Sequence, residues 1–235
     1  MSSFHNIQFR VFPSPESNDF EVRLFVNGQD FIEKHWPDMM GMDPDDVLSL
    51  DILAPRDVPH TAMVVRCGCG VDGCGNATVR VSREGDRIIW DSWDGDRGKP
   101  PPGTLIFGRE QYFQALEQAI SDTSWETPDR TAARLLSSIV DHEALAATNL
   151  SYQWASGQIR DDAFTVSLGG PPGHHQILIH TSWSGELPEL IAQKVAALLR
   201  EHPNWWPDVE WYGQSPTPPF DGPGWHKKAS FPQAT

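Results

Sequence analysis

A chain of 235 residues, 39% of them hydrophobic, can bury one large core or two smaller ones. Its 32 acidic and 18 basic side chains leave a formal net charge of −14, a field that repels phosphate backbones and anionic lipid, so neither nucleic-acid nor membrane binding is expected. No apolar run approaches the ~20 residues that cross a bilayer, Met1-Ser2-Ser3-Phe4-His5 carries no secretory pattern, and three cysteines are an odd count; a cytoplasmic, reducing setting is expected.

Ile7, Phe9 and Val11 alternate with polar residues, as do Phe20, Val22, Leu24 and Val26, which predicts two strands joined by the turn-rich Pro13–Asp19. Residues 29–59 read as acidic and irregular, with a short helix near Asp30–Trp36 that Pro37 would stop. Ala62–Arg66 enters the cysteine segment as a strand and Ala77–Val81 leaves it as one. The Glu84-Gly85-Asp86 turn leads to Arg87–Trp90, and a short strand at Leu105–Phe107 completes an antiparallel meander. In the helix predicted over Glu110–Ser121, Phe113, Leu116 and Ile120 fall at helical spacing.

Thr127-Pro128 suits a helix start, with Ala132, Leu135, Leu136, Ile139 and Val140 on one side. Strands are expected near Ser151–Trp154, Ala163–Leu168, Gln176–Trp183 and Val209–Tyr212, and a helix at Leu187–Arg200 that groups Leu190, Ile191, Val195, Leu198 and Leu199. The expected fold class is α+β. Residues 1–124 form a β-rich half, an antiparallel meander with a helix. Residues 125–213 form an α-β-β-β-α-β unit with its helices on one face of a small antiparallel sheet, and 214–235 a Pro/Gly-rich tail that docks its aromatics.

All three cysteines fall within Cys67-Gly68-Cys69-Gly70-Val71-Asp72-Gly73-Cys74. With Val26-Asn27-Gly28, Trp90-Asp91 and Phe107-Gly108-Arg109-Glu110-Gln111-Tyr112, this segment resembles a group of uncharacterised bacterial proteins. The resemblance implies no activity and assigns no functional residue.

The cysteine block admits three readings. In the first, Gly70-Val71-Asp72-Gly73 is a hairpin loop that sets Cys69 opposite Cys74, and the cysteines pack as small hydrophobes. In the second, Cys67, Cys69 and Cys74 ligate zinc, the candidate cofactor, with a fourth ligand from His60, Asp72 or a distant histidine. Strand alternation opposes this convergence. In the third, Cys74 and Arg80 match the Cys-x5-Arg spacing of cysteine phosphatases and Trp-Pro-Asp matches their acid loop, but the following alternation predicts a strand where that chemistry needs a helix.

Elsewhere, Asp38, Asp43, Asp45, Asp46 and Asp51 form the densest acidic run, either a solvated face or a binding surface for a basic partner. His174, His175 and His180 read as exposed polar residues, and the ten tryptophans as core anchors or contact points. The first functional reading is therefore a non-enzymatic acidic binding protein, such as an immunity-type inhibitor of a basic partner. The second is a zinc-binding regulatory module or metal-dependent enzyme centred on the cysteine block, and the third is the phosphatase.

Overall fold

The computed structural model describes residues 4–13, 20–48, 52–69, 74–95, 102–170, 175–213 and 218–228. The chain forms two units, Met1–Trp125 and Glu126–Thr235. Helices and small antiparallel sheets together make it an α+β protein.

In the first unit, β1 (Ile7–Pro13) and β2 (Phe20–Val26) pair antiparallel with Ile7 opposite Val26 and Phe9 opposite Leu24. That register puts the alternating apolar residues on one buried face. Asn27 and Gly28, at φ 51° and 79°, make the two-residue turn into β3 (Gln29–Asp30), as a hairpin with two left-handed positions requires. The Asp30 carboxylate accepts the Glu33 N–H and starts α1 (Phe31–His35), which ends two residues before Pro37.

The segment expected to be irregular also holds β4 (Met39–Gly41) and α2 (Pro44–Val47). Gly41 is required where β4 crosses β2, because a Cβ there would lie 2.2 Å from the Val22 carbonyl oxygen. The buried Glu21 carboxylate accepts the Gly41 N–H and fixes this crossing.

β5 (His60–Cys67), β6 (Asn76–Glu84), β7 (Arg87–Gly95) and β8 (Leu105–Gly108) form the meander, and β4 adds to its edge in the order β4-β5-β6-β7-β8. α3 (Arg109–Ser121) buries Tyr112, Ala115, Leu116 and Ala119. The expected stripe is thus rotated: Leu116 is buried, Phe113 is half-buried and Ile120 is exposed. Phe9, Trp90, Phe107 and Tyr112 form the aromatic centre, with ring centroids 5.6–6.4 Å apart. The Tyr112 hydroxyl donates to the Leu53 carbonyl at 2.7 Å.

The second unit begins with α4 (Pro128–Ile139), which buries Ala132 and Leu136, and adds α5 (His142–Ala147), a helix that sequence reading did not anticipate. Asp141 caps α5 by accepting the Ala144 N–H at 2.9 Å. β9 (Ser151–Ser156), β10 (Ala163–Gly169) and β11 (His175–Ser182) are antiparallel neighbours. α6 (Pro188–Arg200) buries Ile191, Ala192, Val195, Ala196 and Leu199, while Leu190 is exposed. These helices share one apolar core with Phe164, Val166, Leu168, Ile177 and Ile179.

β12 (Val209–Gly213) pairs with β11, and β13 (Trp225–Lys227) joins it in parallel, giving the order β13-β12-β11-β10-β9. Part of the expected tail is therefore an edge strand. Phe220 and Trp225 pack on the core, and Trp225 stacks on buried Trp206 at 6.1 Å and 14°. Phe231 lies outside the described residues. Among those described, no helix is long and apolar enough to cross a membrane.

Candidate metal centre

β5 delivers the first cysteine. Cys67, its last residue, pairs with Met39 of β4 on one side, and its N–H donates to the Gly75 carbonyl at 2.9 Å on the other. Arg66 is opposite Asn76, so strand pairing ends before Cys69, which lies in the turn, and Cys74 lies in the bend that leads into β6. The expected facing of Cys69 with Cys74 as strand partners is corrected accordingly. A register shift between Met63 and Val65 sets Ala62, rather than Val64, opposite Val79. The loop residues 70–73, Asp72 among them, lie outside the described residues.

This register removes the objection from alternation, since a turn residue is not bound to either sheet face. The three ligand atoms, Sγ of Cys67, Cys69 and Cys74, all lie within 4.8 Å of one another. Thiolates at ~2.3 Å from a tetrahedral ion are about 3.8 Å apart, so side-chain rotations of an ångström or less would close the site on zinc. None of the three cysteines is in a disulfide; Cys67 is half-buried and Cys69 and Cys74 are exposed. Cys69 and Cys74, being exposed, do not pack as core hydrophobes, whereas Cys67 is half-buried beside buried Met39.

Hydrogen bonding with Cys69 and then Cys67, reinforced by their charge when ionised, pushes the Cys74 thiol up to about 11. At neutral pH Cys74 therefore keeps its proton and is a weak nucleophile. A metal ion reverses that balance by replacing thiol protons with one shared cation.

The other candidate ligands and partners are placed as follows. His60 Nε2 lies 2.7 Å from the Ile52 carbonyl at the far end of β5, roughly 23 Å along the strand from Cys67. Among the described residues, three side chains are thus placed where they could serve as ligands of one ion. Arg80 lies within β6, where its guanidinium makes two 2.7 Å hydrogen bonds to Asp91. The element that follows Cys74 is a strand, so the anion-holding helix N-terminus of a cysteine phosphatase is not built there.

The acidic run is divided among local tasks. Asp43 caps α2 by accepting the Asp45 N–H at 2.9 Å, and Asp45 and Asp46 occupy its first turn. Asp38 is exposed and adjoins Met39, the cross-strand neighbour of Cys67. Asp51 lies outside the described residues.

A second concentration of polar side chains, in the other unit, escaped sequence reading. His180 is buried, contrary to the exposed placement expected, and its Nδ1 lies 3.0 Å from Thr165 Oγ1. Its Nε2 lies 3.7 Å from Glu210, which also accepts from Lys228 at 3.0 Å and from the Tyr212 hydroxyl at 2.8 Å. Burial pushes His180 below its ordinary value despite Glu210. Ser167 donates to Gln153 at 2.7 Å and accepts from Gln176 at 3.1 Å.

The Thr165–His180–Glu210 order looks like a proton relay, but Thr165 and Ser167 are fully buried and cannot meet a substrate. The one signal was polar alternation in Phe164-Thr165-Val166-Ser167-Leu168, which also describes a solvated face. His174 lies outside the described residues, and His175 opens β11 with its ring 5.5 Å from Trp211. No family model, curated protein or solved structure matches this chain.

Proposed function

We propose that the first unit is a metal-binding module in which Cys67, Cys69 and Cys74 hold one zinc ion as thiolates. The observation that carries the reading is the approach of all three Sγ atoms to within 4.8 Å where β5 ends, two of them on exposed cysteines. Two facts support it: soft thiolates favour zinc over hard cations, and the apolar core is complete without the cysteines. Titration of the reduced protein with zinc against a chromophoric chelator tests it. The expected outcome is saturation near one zinc per chain, abolished in Cys69→Ser and unchanged in His60→Ala; equal zinc uptake by Cys69→Ser would refute it.

The acidic surface supports a second reading, a basic protein partner, on the strength of the −14 net charge and the exposure of Asp38, Asp45 and Asp46. Binding to a cationic protein that weakens steeply with salt, and more so in Asp38→Asn, is its expected mark. Binding indifferent to salt rejects it.

A further inference from the structure

A structural zinc site is closed: four protein ligands surround the ion and water is excluded. The cysteine turn has the opposite character. It supplies three ligands among the described residues, two of them exposed, on a turn outside the apolar core. We infer that the fourth coordination position is open to an external thiolate, and that the centre passes its ion by ligand exchange to a basic, thiol-bearing acceptor. This inference rests on the zinc reading.

Ligand exchange here involves no change of oxidation state. Bound to three thiolates, Zn²⁺ gives a centre of charge −1 whose fourth ligand is water. An acceptor thiol loses its proton to solvent, its sulfur–zinc bond forms and the water leaves. A further acceptor thiolate then displaces a cysteine, whose sulfur takes a proton from solvent as its zinc bond breaks.

The structure orders the departures. Cys69 and Cys74 are exposed and leave first, whereas Cys67 is half-buried at a strand end tied by its N–H to the Gly75 carbonyl and leaves last. The sign of the acceptor follows from electrostatics. The centre is anionic, the chain carries −14, and exposed Asp38 adjoins the strand partner of Cys67, so an anionic thiol is repelled and a cationic one drawn in.

The test uses the full chain loaded with cobalt(II), whose thiolate charge-transfer band reports sulfur ligands, and in parallel with zinc. Adding 2-mercaptoethanol should raise the cobalt band by about a third as three sulfur ligands become four. Zinc release to a chelator should accelerate in proportion to thiol. At fixed pH, the ratio of the rate with cysteamine to that with 3-mercaptopropionate should shrink as salt rises, because only the charge effect is screened. A lysine-rich Cys-x2-Cys peptide that outpaces cysteamine at equal thiol assigns the acceptor to a protein; parity assigns it to small thiols.

Bound cobalt with an unchanged band and a release rate independent of thiol overturns the inference and leaves the zinc reading intact. Failure to bind either metal overturns both. A salt-independent rate ratio removes the basic acceptor. Loss of metal in Asp72→Asn would show the fourth position already filled and also overturn the inference; retention of metal and thiol response in that variant supports it.

Discussion

The cysteine turn of the first unit and the polar array of the second concentrate chemistry-bearing side chains in opposite ways. Thr165, Ser167 and His180 are buried on a central strand pair and hydrogen-bond to protein neighbours, although His180 Nε2 has no hydrogen-bond partner among the described residues. Cys67, Cys69 and Cys74 gather at a strand end, stand clear of the core and have only weakly hydrogen-bonding sulfur to offer one another. The contrast separates stability from function. A buried array with internal partners holds its sheet together, whereas exposed thiols add little to folding and are available to an ion.

The largest effect that would break this contrast is on metal content. Replacing any one of the three cysteines by serine should abolish stoichiometric zinc binding. The metal-free Cys69→Ser and Cys74→Ser proteins should keep the unfolding midpoint of the parent, as exposed substitutions do. Calorimetry of the apo variants beside zinc analysis checks both halves. A cooperative loss of folding in apo Cys69→Ser would place the thiols with the structural groups.

The mirror-image variant is Thr165→Val, which leaves the buried His180 Nδ1 without its partner. It should destabilise the second unit by about 1–3 kcal/mol and leave zinc binding unchanged. Denaturant unfolding gives the cost, and an unchanged midpoint would mean that the array contributes no stability.

Proton competition sharpens the comparison next. Because Cys74 is pushed up to about 11, zinc must displace its proton at neutral pH. Apparent affinity should strengthen with rising pH, about tenfold per unit for each proton released, and weaken on acidification. Competition titrations between pH 6 and 8 measure the slope.

His180 has the other sign pattern. Its folded value lies below its ordinary one, so the unfolded chain takes up the proton first as pH falls through about 6.5. Its contribution is intact above that range and lost as pH drops towards the folded value. The melting temperature of the second unit should therefore fall between pH 7.5 and 5.5, and fall less in His180→Gln.

The smallest effect concerns Arg80. Arg80 is exposed in its pair with Asp91, so Arg80→Ala should leave the melting temperature nearly unchanged and zinc binding intact. Loss of the metal on that substitution would tie Arg80 to the centre.

Legibility in the sequence followed the physics of each element. The alternation of Ile7, Phe9 and Val11 against Phe20, Val22, Leu24 and Val26 was readable because each strand buries one face. The helix faces were misjudged where alanine carries the contact. Ala115 and Ala119 in α3, and Ala192 and Ala196 in α6, lie buried while larger Ile120 and Leu190 are exposed. A reading weighted by side-chain size overlooks small residues at a close approach, of α3 to strand β1 and of α6 to helix α4.

At the candidate site the three cysteines were readable as a set, but their convergence was not. The register leading into the turn shifts beside Val64 and Val65, which are both buried, so hydrophobicity could not reveal which residue was extra. His180 was hidden for a related reason, since polar alternation describes a solvated face and a buried hydrogen-bonded one equally well.

The central claim is most directly tested by native mass spectrometry of the full chain, purified under mild reductant without chelator and supplemented with zinc. The account predicts a species heavier by one zinc ion, with three thiols shielded from alkylation, and its absence in Cys74→Ser. A metal-free mass with all three thiols reduced and freely alkylated would contradict it.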